Sequence, residues 1–265
     1  MDLVFEERPS DSPLVETIWR SRSEHASPFI SMADSHYGLV IAKYRGKTVI
    51  TVRGPETRAT PAKELPDAEY FGIRFKHGVF MSDLPATMLI DRQDLTLPEA
   101  TSKSFWLNGS AWEFPNYENL DTFIDWLRRD CLLIHDPVVD ETLTGQPVDL
   151  SLRTVQRRFL RATGLSQNTI NQIERARYAT SLLKQSTPIL DTVYQAGYFD
   201  QPHLTRSLKH FIGMTPAQIV DADRFERLSF LYKTKHPVKA TIHSQTYDQP
   251  NMLFVKKNFQ TLEMR

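Results

Sequence analysis

The sequence predicts an α+β protein in which a β-rich N-terminal part is followed by an all-helical C-terminal part. Up to about residue 115, short apolar and β-branched runs are bounded by Pro and Gly, which is typical of strands. From residue 150 to 216, apolar residues recur at three- and four-residue spacing, which is typical of amphipathic helices. With 265 residues, of which 40% are apolar and 11% aromatic, the chain can build two cores.

The strand pattern is clearest in the middle of the N-terminal part. His36–Lys43 and Lys47–Arg53 are apolar runs separated by Tyr44-Arg45-Gly46, and Tyr70–Phe75 alternates between apolar and polar residues. These runs predict a small barrel or sandwich over residues 1–115.

This N-terminal part lacks the motifs that enzyme chemistry needs. Its histidines His25, His36 and His77 are isolated and no His-x-His occurs, so the sequence predicts neither a metal nor another cofactor. Nucleophile-elbow, phosphate-loop and Cys-x-x-Cys motifs are also missing. We therefore expect no catalytic residues.

Two features near residue 115 favour a regulatory role. The first is a dense group of aromatic residues, which either lines a small-molecule pocket or packs against the next helix: Phe105, Trp106, Trp112 and Phe114. The second is the segment Tyr117–Leu133, which predicts an amphipathic helix. Its apolar face could dock on its own domain or on a second copy in a homodimer, so residues 116–136 are predicted to form a linker or dimerisation helix.

The lone cysteine, Cys131, falls on the apolar face of that helix and is expected to pack as a small hydrophobic side chain. One cysteine excludes an internal disulfide and fits the cytoplasm. No run of eighteen apolar residues occurs, so no membrane association is expected.

The net charge of zero conceals an uneven distribution. Residues 1–140 contain 15 basic and 22 acidic side chains, whereas residues 151–215 contain nine basic and three acidic ones. Clustered positive charge supports the salt-dependent part of DNA affinity, so double-stranded DNA is the predicted partner of the C-terminal part.

Two helices in this basic segment have the pattern expected of DNA readers. In Leu152–Thr163 and Pro202–Ile212 an apolar stripe is opposed by basic and amide side chains, which can bond to base edges. Gly164 and Gly213 follow the helices as C-terminal caps, and the segment Gln167–Gln185 between them predicts a rigid linking helix.

These residues give the chain a family resemblance. The sequence L-S-x-R-x-x-Q-R-R-F at 150–159, Gly164-Leu165-Ser166, Gly197-Tyr198-x-Asp200-x-x-His203-Leu204-x-Arg206 and Gly213-x-Thr215-Pro216 resemble the AraC-type transcription regulators. The resemblance implies two helix-turn-helix units joined by one long helix, a cupin-like effector domain, and contact with RNA polymerase. The chain departs from the family pattern at Val193 and Pro202.

The outward positions and the resemblance together assign roles to nine residues. Those expected to contact bases are Arg153, Gln156, Arg157, Gln201 and Arg206, and those expected to hold phosphates are Arg161, His203, Thr205 and Lys209. The DNA-binding domain is predicted over 137–232. Residues 233–265 are predicted to form an extension with a possible hairpin.

The resulting hypothesis is an effector-responsive, DNA-binding transcription regulator that is not an enzyme. Two alternatives stay open at this point. One is a DNA-repair alkyl-transfer protein carrying an AraC-like module, for which Cys131 is a poor nucleophile if it is buried. The other is a small-molecule enzyme fused to a DNA-binding domain.

Overall fold

The computed structural model describes residues 4–25, 28–63, 65–91 and 95–221. Within these ranges the main sheet has six antiparallel strands in the order β1-β2-β7-β4-β5-β9. Its strands are β1 (Val4–Arg8), β2 (Val15–Ser23), β4 (Gly38–Tyr44), β5 (Lys47–Arg53), β7 (Ala68–Phe75) and β9 (Leu95–Thr96).

Three smaller antiparallel sheets complete the N-terminal region. They pair β3 (Pro28–Ser31) with β6 (Thr60–Lys63), β8 (Val79–Met81) with β13 (Leu133–His135), and β11 (Ser104–Leu107) with both β10 (Glu99–Thr101) and β12 (Ser110–Glu113). A short 3₁₀ turn spans Ala86–Met88. The predicted β-rich N-terminal part is therefore confirmed.

The tightest predicted hairpin forms as expected. Tyr44 pairs with Lys47, so Arg45 and Gly46 are the two turn residues, and both have positive φ, 48° and 73°. Two residues of positive φ give the turn that matches the twist of the flanking strands. The hairpin places Ile41 and Ile50 opposite each other, and both side chains are buried in the core.

The helix α1 (Leu120–Arg129) is shorter than the predicted Tyr117–Leu133. It stops because Cys131 takes a φ of 57° and the chain then pairs as β13 with β8. Cys131 is exposed, so its expected packing as a buried hydrophobic side chain is wrong. The apolar face of α1, with Leu120, Phe123 and Leu127, is buried in the core shared with the β-strands.

Six helices follow in the described part of the chain: α2 (Pro137–Thr144), α3 (Leu152–Thr163), α4 (Gln167–Lys184), α5 (Ile189–Gln195), α6 (Gln201–Phe211) and α7 (Pro216–Val220). The bounds of α3 are those predicted, and α6 begins and ends one residue earlier than predicted. The last residues of the DNA-binding domain predicted over 137–232 and the predicted hairpin in 233–265 lie outside the described residues. No helix among the described residues is long and apolar enough to span a membrane.

The sequence sets the helix ends through side-chain caps. Ser151, Ser166 and Asp200 each accept a hydrogen bond from a backbone N–H in the first turn of α3, α4 and α6. Thr215 and Gln218 form a capping box at the start of α7. The α-helical C-terminal half of the predicted fold is therefore confirmed as well.

Candidate nucleic-acid interface

The helix α6 presents one apolar and one polar face. Leu204, Leu208 and Phe211 are buried against the rest of the helical region. Of the residues predicted to contact DNA, Gln201, Arg206 and Lys209 are exposed, and His203 and Thr205 are half-buried. The structure thus places all five on the accessible side of one helix, with the apolar stripe behind them.

His203 is the most constrained of these five residues. Its backbone N–H donates to Asp200 at 2.6 Å, and its ring meets the ring of Tyr198 edge-on at 5.1 Å. Partial burial lowers the pKa of His203, and the charges of Arg175 and Arg206 lower it further. The neutral imidazole is therefore favoured, so we expect His203 to act as a hydrogen-bonding group.

The helix α3 has the same organisation with a thinner apolar face. Phe159 and Ala162 are buried, whereas Val155 is only half-buried. The four side chains predicted to contact DNA are all exposed: Arg153, Gln156, Arg157 and Arg161. Leu152 is also 71% exposed, so the surface of α3 carries apolar as well as basic side chains.

The helix α4 connects the two candidate readers. Its residues Ile173, Ala176, Thr180 and Leu183 recur at three- and four-residue spacing and are buried. The helix packs against α5, α6 and α7, so it anchors the whole second unit. This 18-residue helix lies between α3 and α6 in the chain and separates the two candidate readers.

The C-terminal end of α6 is bound directly to the N-terminal region. The backbone N–H of Ala33 donates to the carbonyl oxygen of Phe211 at 2.7 Å, and that of Ala59 donates to the carbonyl oxygen of His210 at 2.9 Å. The last carbonyl groups of a helix have no partner within the helix, so these contacts satisfy them. We call this pair of contacts the α6 dock.

The first unit is bound to the region before it through side chains. Arg158 of α3 donates to both carboxylate oxygens of Asp136, at 3.0 Å and 2.7 Å. Gly164, with a φ of 72°, ends α3 beside Ala86, where an added Cβ would lie 3.0 Å from the Ala86 carbonyl. Both helix-turn-helix units therefore touch the β-rich part of the protein, which sequence reasoning did not foresee.

A cluster of charged side chains lies where the loop before β4 meets α4. Asp34 is 3.0 Å from Arg74, 2.8 Å from His36 and 3.8 Å from Arg177 of α4. Burial alone would raise the pKa of Asp34, but Arg74 and Arg177 outweigh it and hold that pKa well below its usual range. We call Asp34, Ser35, His36, Arg74, His77, Glu174 and Arg177 the buried polar cluster.

The centre of this cluster is the hydroxyl of Ser35. It donates to Glu174 of α4 at 2.7 Å and lies 2.9 Å from Nε2 of His77. Burial lowers the pKa of His77 well below its usual value, and the charges of His36 and Arg74 act in the same direction. The rings of His36 and His77 are 3.9 Å apart, so histidines that are isolated in the sequence are neighbours in space.

The same residues raise the question of a metal ion. Ligand atoms of His36, His77 and Glu174 lie within 4.8 Å of one another. However, the Ser35 hydroxyl lies between them, and a guanidinium nitrogen of Arg74 is 2.6 Å from Nδ1 of His36. A metal ion here would have to displace the hydroxyl and lie beside a cation. We therefore describe the cluster as a hydrogen-bonded connection between the β-rich region and α4.

The four aromatic residues proposed as a pocket are not all on one side of their sheet. Phe105 packs against Phe114 and against Phe123 of α1, with ring centroids 5.3 Å and 6.3 Å apart. Trp112 meets the Phe123 ring edge-on. Trp106 points the other way and is 47% exposed. Three of the rings thus pack between the sheet and α1, and a ligand role for any of the four stays a prediction.

The geometry of two capped helix pairs on one linking helix agrees with the comparison to protein families. A family model described as a helix-turn-helix domain matches residues 146–222, and this segment is a helix-turn-helix domain of the AraC type. The resemblance predicted from the sequence is confirmed for this segment. The presence of a domain of this type supports the prediction that the protein is a DNA-binding transcription regulator.

Two further comparisons concern the chain beyond this segment. A solved structure of ToxT from Vibrio cholerae is similar over 82% of this chain and 98% of that chain, at 10% sequence identity and a TM-score of 0.38. A TM-score this low does not establish a common fold. No curated protein sequence matches the chain.

Proposed function

We propose that this protein is a transcription regulator that reads DNA with α3 and α6 and whose DNA affinity changes when a small molecule binds. The observation that carries the proposal is that both helices of one AraC-type domain expose a basic and amide-bearing face. Two readers on one linking helix suit two major-groove segments about one helical turn, roughly 34–36 Å, apart.

Within this proposal the exposed side chains have two kinds of role. Arg153, Gln156 and Arg157 on α3, with Gln201 and Arg206 on α6, contact base edges. Arg161, His203, Thr205 and Lys209 hold phosphates. Base contacts determine which sequence is bound, whereas phosphate contacts strengthen binding to every sequence.

The test begins by selecting bound fragments from a random DNA pool to define a site. Arg157→Ala and Arg206→Ala are each expected to weaken binding to that site by about 1–3 kcal/mol and to relax specificity at one position. Lys209→Ala should weaken specific and nonspecific DNA equally. Arg129→Ala is the matched control, since Arg129 is an exposed arginine at the end of α1. Unchanged affinity in both base-contact variants would refute the assignment.

The effector part of the proposal is supported by the contacts between the two regions. Because the N-terminal region touches both units, a ligand that binds one of its states more tightly can alter the position of both readers. The indole N–H of Trp112 is buried without an acceptor among the described residues, which leaves it available to a ligand carbonyl. Couplings of this kind are typically about 1–3 kcal/mol, so we expect a 5- to 150-fold change in DNA affinity.

A homodimer and a contact with RNA polymerase are implied by the family resemblance and stay proposals. The apolar face of α1, for which the sequence left docking on its own domain and dimerisation open, is buried within its own chain. Sedimentation velocity with and without the selected DNA site would show whether two copies assemble through another surface.

A further inference from the structure

A cleft of about 390 Å³ lies between α3 and the strand pair β8–β13. Its basic wall consists of Arg157, Arg158 and Arg161 of α3, and the opposite wall includes Phe80 and Ile134. Pockets that hold small molecules have volumes of about 300–1,000 Å³, so the cleft has room for a small ligand. Its two walls differ in chemistry, which restricts what that ligand can be.

The basic wall contains guanidinium groups that are not neutralised by the described part of the protein. Arg158 is paired with Asp136, which also lines the cleft. Arg157 and Arg161 are one helical turn apart, and neither has a hydrogen bond or ion pair with any residue in the described ranges. Arginines bind carboxylate and phosphate groups with two parallel hydrogen bonds, so this wall is suited to an anion.

The opposite wall adds an apolar requirement. Phe80 and Ile134 are paired across β8 and β13, and Ile134 is half-buried at the cleft. Phe80 is already buried, so the apolar surface that a ligand would remove from water is that of Ile134, while the ligand's acidic group met the arginines. A purely inorganic anion would use only one of the two walls.

We propose that this cleft binds a small organic anion, with its carboxylate or phosphate on Arg157 and Arg161 and its apolar part against Phe80 and Ile134. Both arginines are among the residues to which we assign DNA contacts. The bound anion therefore competes with DNA for them and weakens DNA binding. This second part depends on the proposed function, whereas anion binding itself does not.

The first experiment uses phenyl phosphate as the probe and measures binding to the full chain by isothermal titration calorimetry at constant ionic strength. We expect phenyl phosphate to bind at least fivefold more tightly than inorganic phosphate, and benzyl alcohol not to bind. Ile134→Ala should remove the advantage over inorganic phosphate, and Arg161→Ala should weaken both anions. Equal affinity for both anions, or affinity insensitive to both variants, would overturn the proposal.

Circular dichroism accompanies each variant, since Ile134 lies on a strand. If Ile134→Ala does not fold, Arg161→Ala decides the question, because Arg161 is exposed on α3 and its loss leaves the core intact. Weakened binding of phenyl phosphate in Arg161→Ala then supports the cleft, and unchanged binding contradicts it.

The second experiment measures DNA affinity with and without phenyl phosphate. At one fixed concentration of phenyl phosphate, DNA binding should weaken about tenfold in the wild type and clearly less in Ile134→Ala, whose affinity for DNA alone is expected to be normal. Failure to bind DNA without the probe would contradict the proposed function. Normal DNA binding that phenyl phosphate does not alter would contradict the competition alone.

Discussion

The two helix-turn-helix units are attached to the rest of the protein in different ways. The second unit is held by the α6 dock, which consists of backbone hydrogen bonds, and by the buried polar cluster on α4. The first unit is held by a partly exposed side-chain pair, Asp136 with Arg158, and by the close packing of Gly164 on Ala86. The comparison indicates that buried hydrogen bonds and charges hold the second unit, whereas a partly exposed ion pair and packing contacts hold the first.

The largest expected difference is between two aspartate substitutions. Asp34→Ala removes the carboxylate that lies between the buried guanidinium groups of Arg74 and Arg177. Breaking a buried charge pair costs about 3–5 kcal/mol, and we expect a loss of about 3 kcal/mol because Arg74 keeps Glu16 as a partner. Asp136→Ala removes a helix cap and a partly exposed ion pair, so its loss should be about 1 kcal/mol.

Urea unfolding followed by circular dichroism measures both free energies. Equal losses in the two variants would show that the two attachments do not differ in strength. Asp34→Asn serves as a control, since it keeps the shape of the side chain and removes only the charge.

A second prediction concerns the glycines in the second unit. Gly213 has a φ of 82°, and an added Cβ would lie 2.8 Å from Ile30 and 3.1 Å from Ala59 at the α6 dock. Gly197 has a φ of 68° with open space around it. Gly197→Ala should therefore cost only the backbone strain, about 1–2 kcal/mol, and Gly213→Ala should cost more.

Thermal unfolding of the two glycine variants compares them directly. If Gly213→Ala were no less stable than Gly197→Ala, the β-rich region would not pack closely against the end of α6 in solution. The selected DNA site then tests whether the same substitution also disturbs the position of the reader.

A smaller effect on the free energy of unfolding is expected when the pH is lowered. The pKa of His77 is lowered by folding, so below about pH 6.5 the unfolded chain binds more protons than the folded one. Stability contributed by neutral His77 should be fully present above that pH and decrease as the pH falls. The pKa of Asp34 is held well below the usual 3.8, so the stability that its charge contributes is lost only at a lower pH.

The measurement is the difference in unfolding free energy between the wild type and His77→Gln from pH 7.5 to 5. Taking the difference removes contributions shared by both proteins, including that of Glu56, whose pKa is raised by burial. The wild type should lose more stability than the variant as the pH falls. Parallel curves would exclude a neutral His77 in the cluster.

The smallest effect is expected at Cys131. The side chain is exposed just after the end of α1, so Cys131→Ser should change neither stability nor DNA binding. Because Cys131 is exposed, the argument from burial against the alkyl-transfer alternative no longer holds. Mass spectrometry after incubation with alkylated DNA tests it directly, and an alkyl group on Cys131 would favour the repair function.

Local features of the fold could be predicted from the sequence because their causes are local. The bounds of α3 depend on Ser151 and Gly164 at its two ends, and the β4–β5 turn depends on Arg45 and Gly46. The end of α1 was mispredicted because the apolar pattern continues through Leu132 and Leu133. Both are buried, but Leu132 lies just before β13 and Leu133 begins it.

The connection between the two regions could not be predicted in the same way. Ser35 and Glu174 are 139 residues apart, and nothing near either one indicates the other. The outward positions of Arg157 and Arg161 follow from helical spacing, but the cleft beside them depends on where β13 lies. Sequence periodicity therefore identifies which face of a helix is polar, and the tertiary structure determines what that face meets.

The α6 dock has a consequence for how this protein tolerates mutation. Its donors are the peptide groups of Ala33 and Ala59, which every amino acid except proline also provides. The residue types in these two loops can therefore change while the hydrogen bonds persist, provided that the new side chains fit. In a scan of all substitutions at Ala33 and Ala59, proline and the bulkiest residues should be the ones that destabilise the protein. The attachment of the second unit therefore depends on the backbone path of these two loops more than on their side chains.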